Sequence, residues 1–324
     1  MEETGAKIPM IVIFAPTACG KTALVTDIFG SESKSPLAGK AEIISADSQA
    51  VYRFLNIGTA KPSEKEQSSL THHLIDVQTP DIQFGVGDFI DLADKAALEI
   101  REKGKIPVMV GGSGFYVRSF ILGLPETPIS KPEIREKIKE RLRTEGNGNL
   151  YHELKMVDRE YARKIDLHDG IRISRALEVY YSTGRPLSSY KMPDIPRAKY
   201  DFCTIILERP REELYRRIDL RVDAMFEMGL AQEIEGLKKM GYGKDSPGMK
   251  AIGYSEFFTT PLPEDLPQTE KLAQIKDLIK NHSRRYAKKQ YTIMRDIPGA
   301  IRLPADDRPQ VEKIISEFLE AHLQ

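Results

Sequence analysis

Cysteine is scarce in this chain of 324 residues, which holds only Cys19 and Cys203. Neither sits in a Cys-x-x-Cys pair, so neither a disulfide framework nor a cysteine-based zinc site is supported. Net charge is absent too: Lys plus Arg and Asp plus Glu both number 48. That balance speaks against a nonspecific nucleic-acid coat but leaves room for local patches. No stretch reaches the ~18 apolar residues of a membrane span. The opening Met1-Glu-Glu-Thr4 is acidic and lacks the apolar core of a secretory signal. A soluble protein of the reducing cytoplasm, with no membrane partner and acting as a monomer, is the expectation. No internal repeat or low-complexity segment occurs, and the length allows two domains with a sizeable core.

What the chain does have is an apolar run at 8–14 that passes directly into Ala15-Pro-Thr-Ala-Cys-Gly-Lys-Thr22 and then into a helix-forming segment at 23–29. Strand, loop, Gly-Lys-Thr and helix form the setting of a P-loop. Backbone N–H groups at a helix start point at phosphate oxygens, and the helix dipole favours negative charge there. Residues Ala15, Pro16, Thr17, Ala18, Cys19, Gly20, Lys21 and Thr22 are therefore the candidate phosphate binders. Lys21 adds a positive charge, and the Thr22 hydroxyl can hold Mg²⁺. Ala15 stands where the first Gly of the motif is usual; a positive φ there would strain the turn modestly. The competing reading, a chance Gly-Lys-Thr in an ordinary strand–turn–helix, does not explain why both flanking elements are of the required kind.

Residues 7–127 alternate strand and helix patterns. Strands are expected at 42–47, 73–77 and 106–110, and helices at 86–103 and 115–121. In the first of these helices Phe89, Leu92, Ala96 and Ile100 fall at helical spacing. This predicts an α/β fold: a P-loop NTPase-like parallel sheet core with helices on both faces. Ligands then bind at the carboxyl ends of the strands. The loop at 15–22, Asp47 and Gly111-Gly-Ser-Gly114 all fall at such ends, so three pieces converge on one crevice. Composition shifts at 123–128, after which charged helical patterns run at 132–143, 149–164 and 170–181. Residues 1–127 thus read as the first part of the core, 128–200 as a helical insertion, and 201–324 as a return to the core with C-terminal helices. The return begins with a strand at 202–207, followed by long amphipathic helical regions at 211–240 and 270–295.

The strand at 106–110 ends in Gly-Gly, without the Mg²⁺-holding acid of nucleotide-hydrolysing P-loop proteins. The strand-end acid nearest in sequence to the loop is Asp47. It can serve as a general base toward an acceptor nucleophile, as a turn-capping Asp, or as an indirect Mg²⁺ ligand. Arg221 lies in an amphipathic helix. It either stabilises charge on a departing diphosphate or is an exposed salt-bridge partner, with Arg217, Asp223 and Glu227 as neighbours. Residues 281–295 carry Arg284, Arg285, Lys288, Lys289 and Arg295 with Tyr286 and Tyr291 interleaved and no acid between Asp277 and Asp296. This is a phosphate-binding strip or else a solvated surface. Arg172 and Arg175 form a weaker second basic site on the insertion. His72 and His73, adjacent in a strand, point to opposite faces and are expected to be structural. Cys19, at a helix start where thiolate is favoured, is expected to be sensitive to oxidation.

These residues resemble one family along nearly the whole chain, the bacterial tRNA dimethylallyltransferases, or IPP transferase family. The matching motifs are Ala15-Pro-Thr-Ala-Cys-Gly-Lys-Thr22, Asp47-Ser-Gln-Ala-Val-Tyr52, Gly58-Thr-Ala-Lys-Pro62 and His72-His-Leu-Ile-Asp76. They continue with Gly111-Gly-Ser-Gly-Phe-Tyr116, Arg172-Ile-Ser-Arg-Ala-Leu-Glu-Val179, Gly184-Arg-Pro186, Gly253-Tyr254 and Arg285-Tyr-Ala-Lys-Lys-Gln290. The P-loop alone is not specific; the set in this order is.

The resemblance implies prenyl transfer from dimethylallyl diphosphate, with Mg²⁺, to N6 of the adenine immediately 3′ of the anticodon. The tRNAs concerned read codons beginning with U. It implies that Asp47 takes the N6 proton, that the loop Ala15 to Thr22 binds diphosphate, and that Arg221 touches it. It implies tRNA contacts from Asp47, Ser48, Gln49, Ala50, Ser113, Arg135, Ile171, Arg172, Ile173, Ser174 and Arg175. Further contacts are implied for the 250–254 segment, including Lys250, Gly253 and Tyr254, and for the 283–290 segment, including Ser283, Arg284, Arg285, Lys288, Lys289 and Gln290.

Three features depart from the family. Ala15 replaces Gly, Ser113 replaces the Thr of Gly-Gly-Thr, and the Cys/His zinc finger of eukaryotic relatives is absent, so a fungal or animal form is not expected. The competing functions are a P-loop kinase for a small metabolite, an adenylate isopentenyltransferase, and a nonenzymatic RNA-binding protein. A metabolite kinase has no use for the strip, and an adenylate enzyme needs no tRNA clamp.

Overall fold

The alternation of apolar strand and amphipathic helix closes, in a computed structural model, into one parallel sheet with a separate helical unit. The structure describes residues 7–128 and 130–322; the acidic opening Met1-Glu-Glu-Thr4 lies outside them. In chain order the elements are β1 (Ile8–Phe14), α1 (Lys21–Phe29), β2 (Ala41–Ala46), α2 (Glu64–Ser69), β3 (His72–His73), α3 (Val86–Glu102), β4 (Ile106–Gly111) and α4 (Gly114–Leu122). There follow α5 (Pro132–Val157), α6 (Arg159–Ala162), α7 (Gly170–Thr183), β5 (Tyr200–Glu208), α8 (Arg211–Glu227), α9 (Leu230–Lys239), α10 (Glu256–Thr259), α11 (Gln268–Met294), β6 (Ile301–Pro304) and α12 (Arg308–Glu320). The chain divides into two compact units, Met1–Ile121 with Pro196–Gln324, and Leu122–Ile195.

The sheet order is β3-β2-β4-β1-β5-β6, and every pairing is parallel. A parallel sheet needs both faces covered, and central strands accordingly read as unbroken apolar runs. Met10 through Phe14 are fully buried. Ile11 and Ile13 point into a core shared with Leu24, Ile28, Ile205, Leu214, Ile218 and Val311. The alternate residues face the other side. There the stack of Phe89 on Tyr116 at 4.5 Å, and Phe120 against Tyr200 at 5.0 Å, join α3 and α4 to β5. Register sets Phe14 beside Gly111 and Ala46 beside Gly111. Three loops therefore leave the sheet at one level, as the sequence led us to expect.

The structure corrects the sequence reading at several places. The strand expected at 73–77 is only His72–His73, because Leu74 and Asp76 adopt left-handed φ of 64° and 55° and turn the chain out of the sheet. The helical region at 211–240 is split by Gly229, whose φ is 97°. A sixth strand, β6, adds an edge that the short, mostly exposed Ile301–Pro304 gave no periodic signal for.

The helical unit has its own core of Ile138, Leu150, Leu154, Ala162, Ile173, Ala176 and Leu177. Its limits lie at Leu122 and Ile195, a few residues before the 128–200 span read from composition. Tyr200 already belongs to β5. Helix α5 is broken at Gly146 (φ 79°, ψ 166°). Asp158 caps α6 through Oδ1, which accepts the Tyr161 N–H at 3.0 Å, and Asp169 caps α7.

Candidate active site

The loop between β1 and α1 is held from four directions. The Ala15 N–H donates to the Gly111 carbonyl at 3.3 Å. The Thr17 N–H donates to Gln290 Oε1 at 3.1 Å. Arg217 Nε donates to the Ala18 carbonyl at 2.9 Å, and Arg209 Nε to the Cys19 carbonyl at 2.7 Å. The positive φ angles of the loop fall at Ala18 (58°) and Gly20 (108°), so Ala15 carries no left-handed strain. Lys21, at the start of α1, curls over the loop: its Nζ donates to the carbonyls of Ala15 at 2.8 Å and Pro16 at 2.9 Å.

A cavity of about 650 Å³ opens over this loop. Its walls include Lys21, Thr22, Asp47, Gln49, Gly112, Arg217, Arg221, Tyr286 and Gln290, with Ile43, Val222, Met225, Ile252 and Ile279 as apolar surface. Asp47 follows β2. Its Oδ1 accepts the Gln49 N–H at 2.8 Å and the Ala50 N–H at 3.3 Å. Among the described residues Oδ2 makes no hydrogen bond, so turn capping occupies one oxygen only. Ser113, after β4, steadies the same loop: its Oγ accepts the Ser48 N–H at 2.8 Å.

Enclosure sets the electrostatics. Burial lowers Lys21 to about 8; the Arg221 charge adds to that and the Asp47 charge opposes it. Burial also lowers Arg221, again against Asp47. The Tyr286 phenol is pushed up to about 12 by burial and by the Asp47 charge. The Thr22 hydroxyl lines the cavity and has no protein partner among the described residues, which leaves a hard oxygen donor free beside Lys21. No group of three or more His, Cys, Asp or Glu side chains able to hold a metal occurs among the described residues.

A family model described as IPP transferase matches residues 50–296. The chain belongs to the IPP transferase family. A tRNA dimethylallyltransferase of Acetivibrio thermocellus is 38% identical over 311 residues, covering 95% of this chain and 96% of that one. Another, of Sulfurihydrogenibium sp., is 45% identical over 229 residues, 70% of this chain and 71% of its own. Among solved structures, the tRNA isopentenylpyrophosphate transferase of Bacillus halodurans is 32% identical with a TM-score of 0.65, covering 97% of this chain and 98% of that one. A eukaryotic dimethylallyltransferase, described as acting on tRNA, has a TM-score of 0.75 at 27% identity, covering 96% and 77%.

In this IPP transferase, Ser48, Gln49, Lys250 and Ser283 line the same cavity as Asp47, and Ala50 forms part of its wall. Arg285, Lys288 and Lys289 are exposed on α11 and form no ion pair among the described residues. Arg284 differs from them, being paired with Asp219. Ile171 and Arg172 are exposed on the helical unit, Ser174 is half-buried, and Arg135 lies 3.9 Å from Glu178. Arg175 donates to Ser130 Oγ at 2.6 Å and Thr127 Oγ1 at 3.0 Å.

Four of the residues singled out in the sequence turn inward. Gln290, implied to lie along the tRNA, is buried and lines the cavity, and its Nε2 donates to the Gly112 carbonyl at 2.5 Å. Tyr254 is fully buried, and Ile173 belongs to the core of the helical unit. Cys19 is fully buried, and burial raises its thiol pKa despite the nearby positive charges of Lys21, Arg209 and Arg217. Its Sγ donates to the Leu207 carbonyl at 3.6 Å, so a reactive thiolate is not favoured. As for the two histidines, His73 Nε2 bonds Glu42 at 2.7 Å and His72 Nδ1 bonds the Leu70 carbonyl at 2.6 Å.

Sequence reasoning passed over Arg209 and gave Arg217 and Tyr286 no role in the pocket. Arg209 stands immediately after β5, at the carboxyl edge where ligands gather. Arg217 precedes Arg221 by one helical turn and shares its face. Both signals were available.

Proposed function

We propose that this IPP transferase moves a dimethylallyl group from dimethylallyl diphosphate to N6 of the adenine immediately 3′ of the anticodon, in tRNAs reading codons that begin with U. The observation that carries this reading is the sharing of one cavity by the loop residues Thr17, Ala18, Gly20, Lys21 and Thr22 and by Asp47, whose second oxygen is free. The adenine leaves its stack to enter, as bases do when chemistry is done on them. The N6–C1 bond forms as the C1–O bond breaks, the bonding pair leaves with diphosphate, and the N6 proton passes to Asp47. Lys21, the loop amides and the start of α1 hold the diphosphate, and Arg221 offsets its developing charge. Thr22 would hold Mg²⁺, which when bound neutralises charge on the leaving group. Lys21 then exchanges its carbonyl partners for phosphate oxygens.

Arg285, Lys288 and Lys289 supply an exposed phosphate-binding face on a helix whose inner residues Ser283, Tyr286 and Gln290 reach the cavity. A small-metabolite kinase would leave that face without a task. Cytoplasmic action as a monomer completes the reading; no helix among the described residues is long and apolar enough to cross a membrane.

The test offers the protein labelled dimethylallyl diphosphate, unmodified tRNA, ATP and small alcohols. Label appearing on tRNA is the expected result. ATP consumed in the presence of an alcohol, with no label on tRNA, would overturn the proposal.

A further inference from the structure

Two motifs remain without a task, Gly58-Thr-Ala-Lys-Pro62 and Gly253-Tyr254, and the fold brings them together. A Cβ on Gly58 would lie 2.4 Å from the Tyr254 ring, so only glycine admits that ring. Gly253, at φ 97°, turns the chain so that Tyr254 enters the interior. The Tyr254 hydroxyl donates to Glu233 Oε1 at 2.6 Å and accepts the Gly58 N–H at 3.0 Å. Glu233, on α9, gathers the rest of the turn. Its Oε2 accepts the N–H groups of Asn56 at 3.1 Å and Ile57 at 2.9 Å, and its Oε1 that of Gly58 at 3.4 Å.

This anchored turn ends on a functional atom. The Thr59 side chain is buried, and its hydroxyl donates to the Leu55 carbonyl at 2.6 Å. The Thr59 carbonyl accepts Arg221 Nη2 at 3.2 Å, the one protein hydrogen bond of that guanidinium among the described residues. A long cationic side chain with a single partner is aimed only as well as that partner is fixed.

We propose that Glu233 and Tyr254 are positioning residues that aim Arg221 into the diphosphate end of the cavity through the Thr59 carbonyl. This rests on the reading that Arg221 faces diphosphate. Glu233→Gln keeps the volume but replaces one of the accepting oxygens by a donor that opposes the turn's N–H groups. Tyr254→Phe keeps the buried ring and removes the hydroxyl that links Glu233 to Gly58.

The experiment measures inorganic diphosphate binding by calorimetry, donor KM, tRNA Kd and the melting curve for the full chain and both variants. Expected are weaker diphosphate binding and a higher donor KM, about tenfold in Glu233→Gln and about threefold in Tyr254→Phe, with tRNA Kd unchanged. Lowered melting with diphosphate Kd and donor KM at wild-type values would overturn the inference, since both residues would then only hold the fold. If Glu233→Gln does not fold, Tyr254→Phe decides on the same readout. Diphosphate binding needs no turnover. A wild type that binds diphosphate but prenylates nothing therefore defeats the proposed function, while the variants still decide the positioning role.

Discussion

Gln290 Oε1 accepts the backbone N–H of Thr17 at 3.1 Å, across 273 residues of sequence. The loop at 15–22 and the helix bearing the exposed cations thus share one side chain. Replacing Gln290 by Ala leaves the buried Gly112 carbonyl without its partner, at a cost of about 1–3 kcal/mol, and releases the part-buried Thr17 N–H to the cavity. We expect Gln290→Ala to melt earlier and to bind dimethylallyl diphosphate more weakly, both read in one thermal-shift titration. An unaltered donor Kd would show that the loop keeps its shape without the clasp.

Asp47 offers two oxygens to two tasks, and Asp47→Asn separates them. An asparagine oxygen still accepts the Gln49 and Ala50 N–H groups but cannot take a proton. We expect kcat to fall by about 10²-fold or more with tRNA affinity kept. Asp47→Ala, which also frees the turn, should lose some tRNA affinity as well. Single-turnover rates with filter binding check both; near-normal turnover in Asp47→Asn would remove the base.

The site's position was legible because its pieces are local. An apolar strand followed by Gly-Lys-Thr and a helix marks a loop at a sheet's carboxyl edge, and Asp47 and Gly112 follow strands of the same kind. What was hidden depends on contacts between segments far apart in sequence. Gln290 and Tyr254 sit in motifs implied to lie along the tRNA, and nothing local reveals that each side chain turns inward. Cys19 misled because a helix start favours thiolate only where the sulfur is not sealed off by β5.

Lys21, lowered to about 8 by burial, is charged below that pH and loses its proton above it in the free protein. Diphosphate favours the charged form and raises its pKa. Donor binding should therefore take up protons, increasingly between about pH 7 and 9. Calorimetry in buffers of different ionisation enthalpy reads the uptake, and Lys21→Met should abolish it. Equal uptake in that variant would assign the proton elsewhere.

The exposed cations should act on RNA through its phosphates. Lys288→Glu with Lys289→Glu should weaken tRNA binding and flatten its dependence on salt. The same change at Arg284, already paired with Asp219, should alter the salt slope less. A double variant with the wild-type slope would place the strip in solvent.

Both cysteines are buried, and burial raises each thiol's pKa, Cys203 to about 11. A thiol reagent should label neither at neutral pH until denaturant is added. Rapid labelling of the native protein would restore the oxidation-sensitive Cys19 expected from the loop's position.

In the proposed reaction a carboxylate and a diphosphate-holding loop act on one adenine in one cavity. Mass analysis of tRNA nucleosides after incubation with dimethylallyl diphosphate and Mg²⁺ tests it most directly, with wild type and Asp47→Asn side by side. The predicted result is N6-dimethylallyladenosine beside the anticodon with the wild type and only a trace with the variant. Unmodified adenosine in both, or equal product from both, would contradict it.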